Sequence, residues 1–289
     1  MIELNDLLIK EGIDPDRVMV MRHRPTAKAL RDVLPWLAEE DPGAYNAYQS
    51  QHGERVEVAL SKATHLVSCV GREPGKAMFV GLYTMNGFKK ITQEAFWAKP
   101  DNKRLARYGT HGPMGRSEVL WFDLRLTKRF ESMRGRLILR WPGIERSWWR
   151  WAVRNNFAVD AICEESRLIQ RLPQWESLTL DWHKLQVLPA SWRQALSQWR
   201  GIYYIFDKAS GTGYVGSASG RQNILGRWLN YAATGHGGNR LLRACDPANF
   251  VFSILQRVSP DMDPDEIGPI ESSWKERLHT RAPTGLNDN

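Results

Sequence analysis

The sequence lacks any long apolar run and contains very little cysteine. No stretch of about 18 consecutive apolar residues occurs in the chain, so a membrane span is not expected. The first residues, MIELNDLLIKEGIDPDRV, are partly acidic and lack the apolar centre of a secretory signal. The three cysteines, Cys69, Cys163 and Cys245, are far apart and fit neither a zinc site nor a disulfide framework. Together these absences predict a protein of the reducing cytoplasm.

Positive charge is in excess and is concentrated in one stretch. The formal net charge is +8, and between Lys103 and Arg154 thirteen basic residues stand against four acidic ones, with five tryptophans among them. Because arginines contact phosphates and aromatic rings stack on bases, this stretch predicts a nucleic-acid surface. In the alternative interpretation, the tryptophans belong to a core and the arginines are only solvated. The candidate DNA contacts in this stretch are Arg125, Arg136, Arg140, Arg146, Trp148 and Arg150.

The chain is expected to divide into two parts near residue 172. Residues 1–171 are predicted to form a strand-rich α+β domain, with helices over the first forty residues and another within SWWRWAVRNN. Residues 172–289 read as a linker with a short strand, then strand, turn, strand, two helices, strand and helix. That order predicts a small three-stranded sheet flanked by helices. The expected fold class is therefore α/β (α+β).

The segment GIYYIFDKASGTGYVGSA, residues 201–218, has the pattern of a β-hairpin. If its turn is tight and centred near Lys208 and Ala209, Tyr203 and Tyr214 face each other directly across the two strands. The pattern alone does not determine the register, and a slip of one residue would separate the rings. Two tyrosines of a hairpin can also simply belong to a core.

Two later helices carry polar pairs four residues apart. Arg227 and Tyr231 share a face of one helix, and Glu271 and Lys275 share a face of the other. Each pair alone is common on a solvated helix surface. Only their combination with the hairpin tyrosines points to a catalytic site.

Taken together, these features resemble the GIY-YIG nuclease superfamily over about residues 195–289. The matching features, in order, are GIY at 201–203, YVG at 214–216, Arg227, Tyr231, Glu271 at the position of the metal-binding acid, and GLN at 285–287. HGGN, from His236 to Asn239, is similar to a loop that carries a further histidine in many members. The resemblance predicts that His236 and Asn239 contact DNA.

The resemblance implies hydrolysis of phosphodiester bonds with one divalent ion, Mg²⁺ or Mn²⁺, held by Glu271. Arg227 would clamp a phosphate oxygen, Tyr203 would orient or deprotonate the attacking water, and Tyr214 would hydrogen-bond the phosphate or that water. Since an unperturbed tyrosine has a pKa of about 10, Tyr203 can act as a base only if a nearby cation lowers that pKa. The remaining candidates are Tyr231 at the phosphate, Asn287 bracing the site and Lys275 in a supporting role.

Residues from about Lys62 to Arg140, with the segment FVGLY, are distantly similar to PUA-like barrels of the EVE and SRA kinds. That likeness implies recognition of a flipped or modified base in an aromatic pocket, while the alternative is an unrelated α+β DNA-binding domain. The sequence thus predicts a restriction or defence endonuclease acting on double-stranded, base-modified DNA, expected to dimerise there because a duplex break needs two cuts. The alternatives are a structure-specific repair or recombination nuclease and a non-catalytic DNA-binding protein.

Overall fold

The computed structural model describes residues 1–113, 115–144, 146–220 and 223–288. The chain forms two compact units, Met1–Gln170 and Arg171–Asn289. Each unit combines helices with a β-sheet, so the mixed α/β (α+β) fold class is confirmed. None of the helices in the described part of the chain combines the length and apolarity needed to cross a membrane.

The first unit contains a seven-stranded sheet with short helices around it. Its helices are α1 (Leu4–Lys10), α2 (Lys28–Glu40), α3 (Pro42–Gln49), α4 (Glu54–Leu60), α5 (Gln93–Ala98) and α6 (Pro100–Ala106). Its strands are β1 (Val18–His23), β2 (His65–Val70), β3 (Lys76–Thr92), β4 (Glu118–Leu126), β5 (Leu137–Arg140), β6 (Trp149–Trp151) and β7 (Val159–Ile162).

The strands of this sheet follow the order β6-β1-β2-β3-β5-β7, and β4 pairs with the long strand β3. Only β1 and β2 run parallel, while the other pairs are antiparallel. Alternate residues of the central strands, such as Val20, Val67 and Phe79, pack with Leu4 and Leu8 of α1 into one apolar core. Strands β1 and β2 and the first half of β3 are therefore almost wholly buried.

Two segments of the first unit differ from the prediction. Val18–His23 is a strand rather than part of a helical region, and all six of its residues are buried against neighbours on both sides. Trp149–Trp151 is also a strand, paired with β1, and Ala152–Arg154 is a single 3-10 turn. In both cases pairing with distant strands decides the structure of a short apolar run, which periodicity cannot assign.

The second unit contains a four-stranded antiparallel sheet in the order β10-β9-β11-β8. Its strands are β8 (Thr179–Asp181), β9 (Arg200–Asp207), β10 (Thr212–Ala218) and β11 (Phe250–Val258). Its helices are α7 (Trp182–Leu185), α8 (Ala190–Gln198), α9 (Asn223–Thr234) and α10 (Pro264–Arg277). The predicted three-stranded sheet is thus too small, because the short strand of the linker, β8, pairs with β11.

Helices α9 and α10 lie on opposite faces of this sheet. Ile202 and Val215 form an apolar cluster with Ile267 of α10. Tyr203 and Tyr214, which alternate with those two residues along β9 and β10, contact α9 instead. The tyrosines of the hairpin are therefore directed to the α9 face.

Candidate active site

The hairpin places Tyr203 and Tyr214 diagonally rather than directly opposite each other. Tyr203 pairs with Gly216, and Tyr214 pairs with Ile205. The predicted register is therefore wrong by two residues. Because the offset is even, both rings still lie on one face of the sheet, and their centroids are 6.4 Å apart.

The turn explains this register. Asp207 and Thr212 are the last paired residues, so four residues form the loop instead of two. The Asp207 carboxylate accepts hydrogen bonds from the Ala209 and Ser210 amides and from the Ser210 hydroxyl. Gly211 adopts a φ of 71°, a conformation that favours glycine. Local side-chain bonding thus sets a longer turn than the tight hairpin assumed from the sequence.

Helix α9 supplies two further members of the site. The ring of Tyr231 lies 6.0 Å from that of Tyr203 and 6.3 Å from that of Tyr214. The hydroxyl oxygens of Tyr203 and Tyr231 are 3.1 Å apart, and the Arg227 Nε donates a hydrogen bond of 3.3 Å to the Tyr203 hydroxyl. The fold therefore brings together three tyrosines and one guanidinium, which we call the tyrosine–arginine cluster.

Burial differs sharply within the tyrosine–arginine cluster. Tyr203 and Tyr231 are fully buried, whereas Tyr214 remains 9% exposed and Arg227 is half-buried. Burial raises the pKa of Tyr203, and the neighbouring Tyr214 adds to the rise, while Arg227 opposes it. Burial also raises the pKa of Tyr231. Since desolvation outweighs the arginine, the cluster does not make Tyr203 a base, and both buried hydroxyls stay protonated at neutral pH.

Glycines make room for these rings. A Cβ atom at Gly216 would stand 2.5 Å from the Tyr203 hydroxyl oxygen and 2.9 Å from Cε1 of Tyr214. At Gly237, where φ is +57°, a Cβ would overlap the Tyr231 ring, and at Gly201 it would overlap the Gln256 carbonyl of β11. The glycines of the GIY and YVG triplets are therefore required because a larger side chain would overlap the atoms packed against them.

We expect Gly216→Ala to lower the free energy of unfolding by about 1–3 kcal/mol, because the methyl group must displace the Tyr203 ring. Chemical denaturation of the purified protein measures this change. Gly220→Ala is the matched control, since a Cβ there meets no atom of a described residue within 4 Å. Equal stability of the two variants would show that the close packing around Gly216 is not important.

Glu271 and Lys275 lie on a different helix from Arg227 and Tyr231. Lys275 Nζ and Glu271 Oε1 form an ion pair of 2.8 Å, and the lysine side chain is only 7% exposed. Both residues belong to α10, which packs on the opposite face of the sheet from Tyr203 and Tyr214. Within the described ranges, no hydrogen bond or ion pair joins Glu271 to the tyrosines or to Arg227.

A metal ion would find a sparse donor set here. Among the residues that the structure describes, no group of three or more histidine, cysteine, aspartate or glutamate side chains could hold one. Glu271 offers one carboxylate, and its Oε1 is already in an ion pair with the Lys275 ammonium. A single carboxylate does fit Mg²⁺, which keeps several waters and takes further oxygens from substrate phosphates.

The chain segment after α10 covers the outer edge of the hairpin. Asn287 is buried, its Nδ2 donates to the Val215 carbonyl at 2.8 Å, and its Oδ1 accepts from the Val215 amide at 2.9 Å. The Leu286 amide also donates to the Gly213 carbonyl at 2.9 Å. Asn287 thus satisfies edge groups of β10 and holds the strand that carries Tyr214.

The HGGN loop packs on the tyrosine–arginine cluster through Gly237, which contacts the Tyr231 ring. His236 Nδ1 accepts a hydrogen bond of 3.0 Å from the Gly238 amide, and Asn239 Oδ1 accepts one of 3.0 Å from the Leu242 amide. Both predicted DNA contacts therefore have roles in shaping the loop. Sequence reasoning missed Arg240, whose guanidinium binds both carboxylate oxygens of Asp288 at 2.8 and 3.1 Å and ties this loop to the segment after α10.

The arginines predicted to contact DNA lie in the first unit and differ in whether the guanidinium already has a partner within the protein. Arg125 and Arg140 are exposed, but each pairs with an aspartate. Arg136 donates to the carbonyls of Cys163 and Ser132.

Three further candidates lie just before β6 or within it. Arg146 is exposed, whereas Arg150 donates to the Ile144 carbonyl and lies over the Trp141 ring. Trp148 is half-buried between two histidine rings. The solvated and the core interpretations of the basic stretch therefore each hold for some of its members.

No family model, no curated protein and no solved structure matches this chain.

Proposed function

We propose that the protein is a DNA endonuclease that hydrolyses phosphodiester bonds in the presence of Mg²⁺ or Mn²⁺. The observation that carries this proposal is the tyrosine–arginine cluster, in which the Tyr203 hydroxyl is bonded to both Tyr231 and the Arg227 guanidinium. The resemblance of its ordered motifs to the GIY-YIG superfamily supports the same activity.

The residues of the cluster divide into a rim and a support. Arg227 is half-buried and Tyr214 keeps 9% of its surface exposed, whereas Tyr203 and Tyr231 keep almost none. We therefore assign the contact with a phosphate oxygen to Arg227 and Tyr214. A guanidinium offers several N–H donors in a planar fork, which suits the charge that develops on a phosphoryl group during displacement. Tyr203 and Tyr231 lie behind them and hold the guanidinium and the Tyr214 ring in place. As protonated phenols, they orient groups and do not remove a proton from water.

Glu271 is the residue that would hold the divalent ion. When bound, such an ion neutralises charge on the scissile phosphate and on the leaving oxygen. Lys275 positions the Glu271 carboxylate through its 2.8 Å ion pair. Because no hydrogen bond or ion pair among the described residues joins Glu271 to the tyrosines, the substrate itself is the group that would connect the two parts of the site.

We assign target recognition to the first unit and a restriction or defence role to the enzyme, which acts in the cytoplasm and as a dimer on DNA. The exposed arginines Arg125, Arg140 and Arg146 supply positive charge for phosphate contacts in that unit. The same unit also carries a buried cluster of aromatic rings and histidines around Trp148.

A plasmid cleavage assay tests the proposed function. Supercoiled plasmid is incubated with the protein and Mg²⁺ or Mn²⁺, with EDTA as the control, and nicked and linear products are counted. The same assay on unmodified, methylated, hydroxymethylated and branched DNA tests the role. Cleavage of branched DNA alone would favour a repair or recombination nuclease. Binding without cleavage under every condition would favour the other alternative, a non-catalytic DNA-binding protein.

A further inference from the structure

A cavity of about 650 Å³ opens on the first unit beside helix α4. Residues of α4 and of the turn after it line the cavity, together with the end of β6 and the two 3-10 turns Pro15–Arg17 and Ala152–Arg154. Its charged lining residues are Arg55, Lys62, Arg154 and Asp16. We call this cavity the basic groove. Its volume is that of about 20 water molecules, so it has room for several groups of the size of a phosphate.

The three cations of the basic groove are available to a ligand. Arg55, Lys62 and Arg154 are all exposed, and no hydrogen bond or ion pair joins their side chains to another residue that the structure describes. By contrast, Arg104 and Arg140 of the same unit pair with aspartates at 2.8 and 3.2 Å. The basic groove therefore presents charged N–H donors that the protein itself does not use, and such donors form strong hydrogen bonds with anions.

These cations are spread along the cavity. Arg55 lies in α4, and Lys62 stands seven positions later, roughly 10 Å further along the helix axis. The Lys62 amide donates to the Ala59 carbonyl, so the helical course continues to that lysine. Arg154 belongs to the turn that follows β6. Because the charges come from separate positions, they suit an anion with several charged groups better than a single phosphate ion.

The other lining residues offer little that could read a base. Val58 and Val153 are 62% and 47% exposed, and Trp151 is half-buried. Aliphatic side chains form no hydrogen bonds with base edges, whereas contacts with phosphate oxygens carry no sequence information. Asp16 is also exposed, and three cations against its one carboxylate leave a net charge of +2. The basic groove therefore suits a polyanion that is held by its charge.

We propose that the basic groove binds the phosphate backbone of double-stranded DNA. Duplex DNA carries one negative charge for about every 1.7 Å of its axis, so cations spread over roughly 10 Å meet several phosphates. A cleft with an excess of positive charge also attracts such a polyanion over a distance. The inference rests on the proposed nuclease function, because DNA is the substrate of that enzyme. No residue of the basic groove is among the DNA contacts predicted from the sequence.

Equilibrium binding of the full chain to a labelled duplex, measured in EDTA so that metal-dependent cleavage stops, tests the proposal. The triple variant Arg55→Gln/Lys62→Gln/Arg154→Gln changes only exposed side chains. Each lost phosphate contact lowers the slope of log affinity against log salt concentration by about 0.9, so we expect the slope to fall by about 2–3. The affinity should fall about tenfold or more, and equally for duplexes of unrelated sequence, because backbone contacts do not distinguish bases.

A second triple variant separates the basic groove from the general charge of the protein. Lys10→Gln/Lys103→Gln/Lys128→Gln removes the same charge from exposed positions of the same unit that do not line the groove. It should lower the slope by less than about one, since loss of charge without loss of a phosphate contact releases no fewer counterions.

A change of the opposite sign is expected at Asp16. Asp16→Asn removes the carboxylate that lines the basic groove. Binding of the duplex should become about two- to fivefold tighter, because this carboxylate no longer repels the phosphates. The same anisotropy titration measures the increase.

A fall in slope confined to the groove variant, with tighter binding by Asp16→Asn, supports the basic groove. An unchanged slope in the groove variant, an equal fall in the control triple variant, or an Asp16→Asn variant that binds no more tightly overturns it. If the groove variant instead loses only the binding of inorganic triphosphate, measured by calorimetry, the site takes a small polyphosphate and the proposal is wrong. Circular dichroism confirms folding, and the three single variants, each expected to lower the slope by about one, decide if the triple variant is unfolded.

Cleavage of supercoiled plasmid is a separate measurement. A protein that binds duplex DNA through the basic groove yet never cuts plasmid would refute the nuclease function and leave the groove standing. A protein that cuts plasmid, and whose groove variant binds DNA as tightly as the unaltered chain, would refute the groove alone.

Discussion

Replacing Tyr203 by phenylalanine should lower the rate of DNA cleavage by on the order of 100-fold while the protein still folds. The substitution removes a hydroxyl that accepts a hydrogen bond from Arg227 Nε and is bonded to the Tyr231 hydroxyl. Without it, the guanidinium loses the contact that orients it, and a misplaced catalytic group is costly to the rate. Single-turnover cleavage of a labelled duplex measures the effect.

Tyr204→Phe is the matched control for this prediction. Tyr204 is the next residue of β9, it points to the opposite face of the sheet, and its ring packs with the apolar cluster beneath α10. Because the Tyr204 ring is half-buried, loss of its hydroxyl should leave the rate of DNA cleavage unchanged within about twofold. If Tyr203→Phe also cuts at the normal rate, the hairpin tyrosines are core residues, and the tyrosine–arginine cluster is not a catalytic one.

The second large effect is expected at Glu271. Glu271→Gln should reduce Mg²⁺-dependent cleavage by about 100-fold or more, because an uncharged amide binds a hard cation poorly. Binding of DNA in EDTA should be unchanged, since that binding involves no metal. Cleavage rates over a range of Mg²⁺ concentrations and DNA affinity by fluorescence anisotropy provide the two measurements.

Glutamine is a better replacement than alanine at this position. Lys275 is buried next to Glu271, and truncation to alanine would remove this partner of a buried ammonium, at a cost of about 3–5 kcal/mol. The amide oxygen of glutamine can still accept a hydrogen bond from the Lys275 ammonium. Glu276→Gln changes an exposed carboxylate of the same helix and should have no effect. Full activity of Glu271→Gln with Mg²⁺ would show that Glu271 does not bind the metal.

Local sequence patterns were sufficient for much of the second unit. The order of β9, β10, α9, β11 and α10 follows from turn residues, apolar periodicity and helix signals that act over a few positions. Placement of Arg227 and Tyr231 on one helix face follows from their spacing alone. In the first unit the same reasoning failed for β1 and β6, because short apolar runs become strands only when distant strands pair with them.

The surroundings of Trp148 illustrate a different kind of failure. His23, His52 and Trp148 carry no common motif, and their rings meet because β1, the segment after α3 and the segment before β6 are brought together by the fold. The pattern of basic and aromatic residues in the sequence therefore selected Trp148 but not its neighbours.

The sequence by itself determined the mixed fold class, the hairpin and the helix pairs. All of these depend on residues that are close together along the chain. Only the tertiary structure decided the register of Tyr203 and Tyr214, which depends on how Asp207 bonds within the turn. It also decided that burial raises the pKa of Tyr203 against the influence of Arg227, and that α10, the helix that carries Glu271, packs on the other face of the sheet. Desolvation and the choice of face arise from contacts between distant segments, which local patterns do not encode. The register arises from side-chain bonds within the turn, whose length the hairpin pattern does not specify.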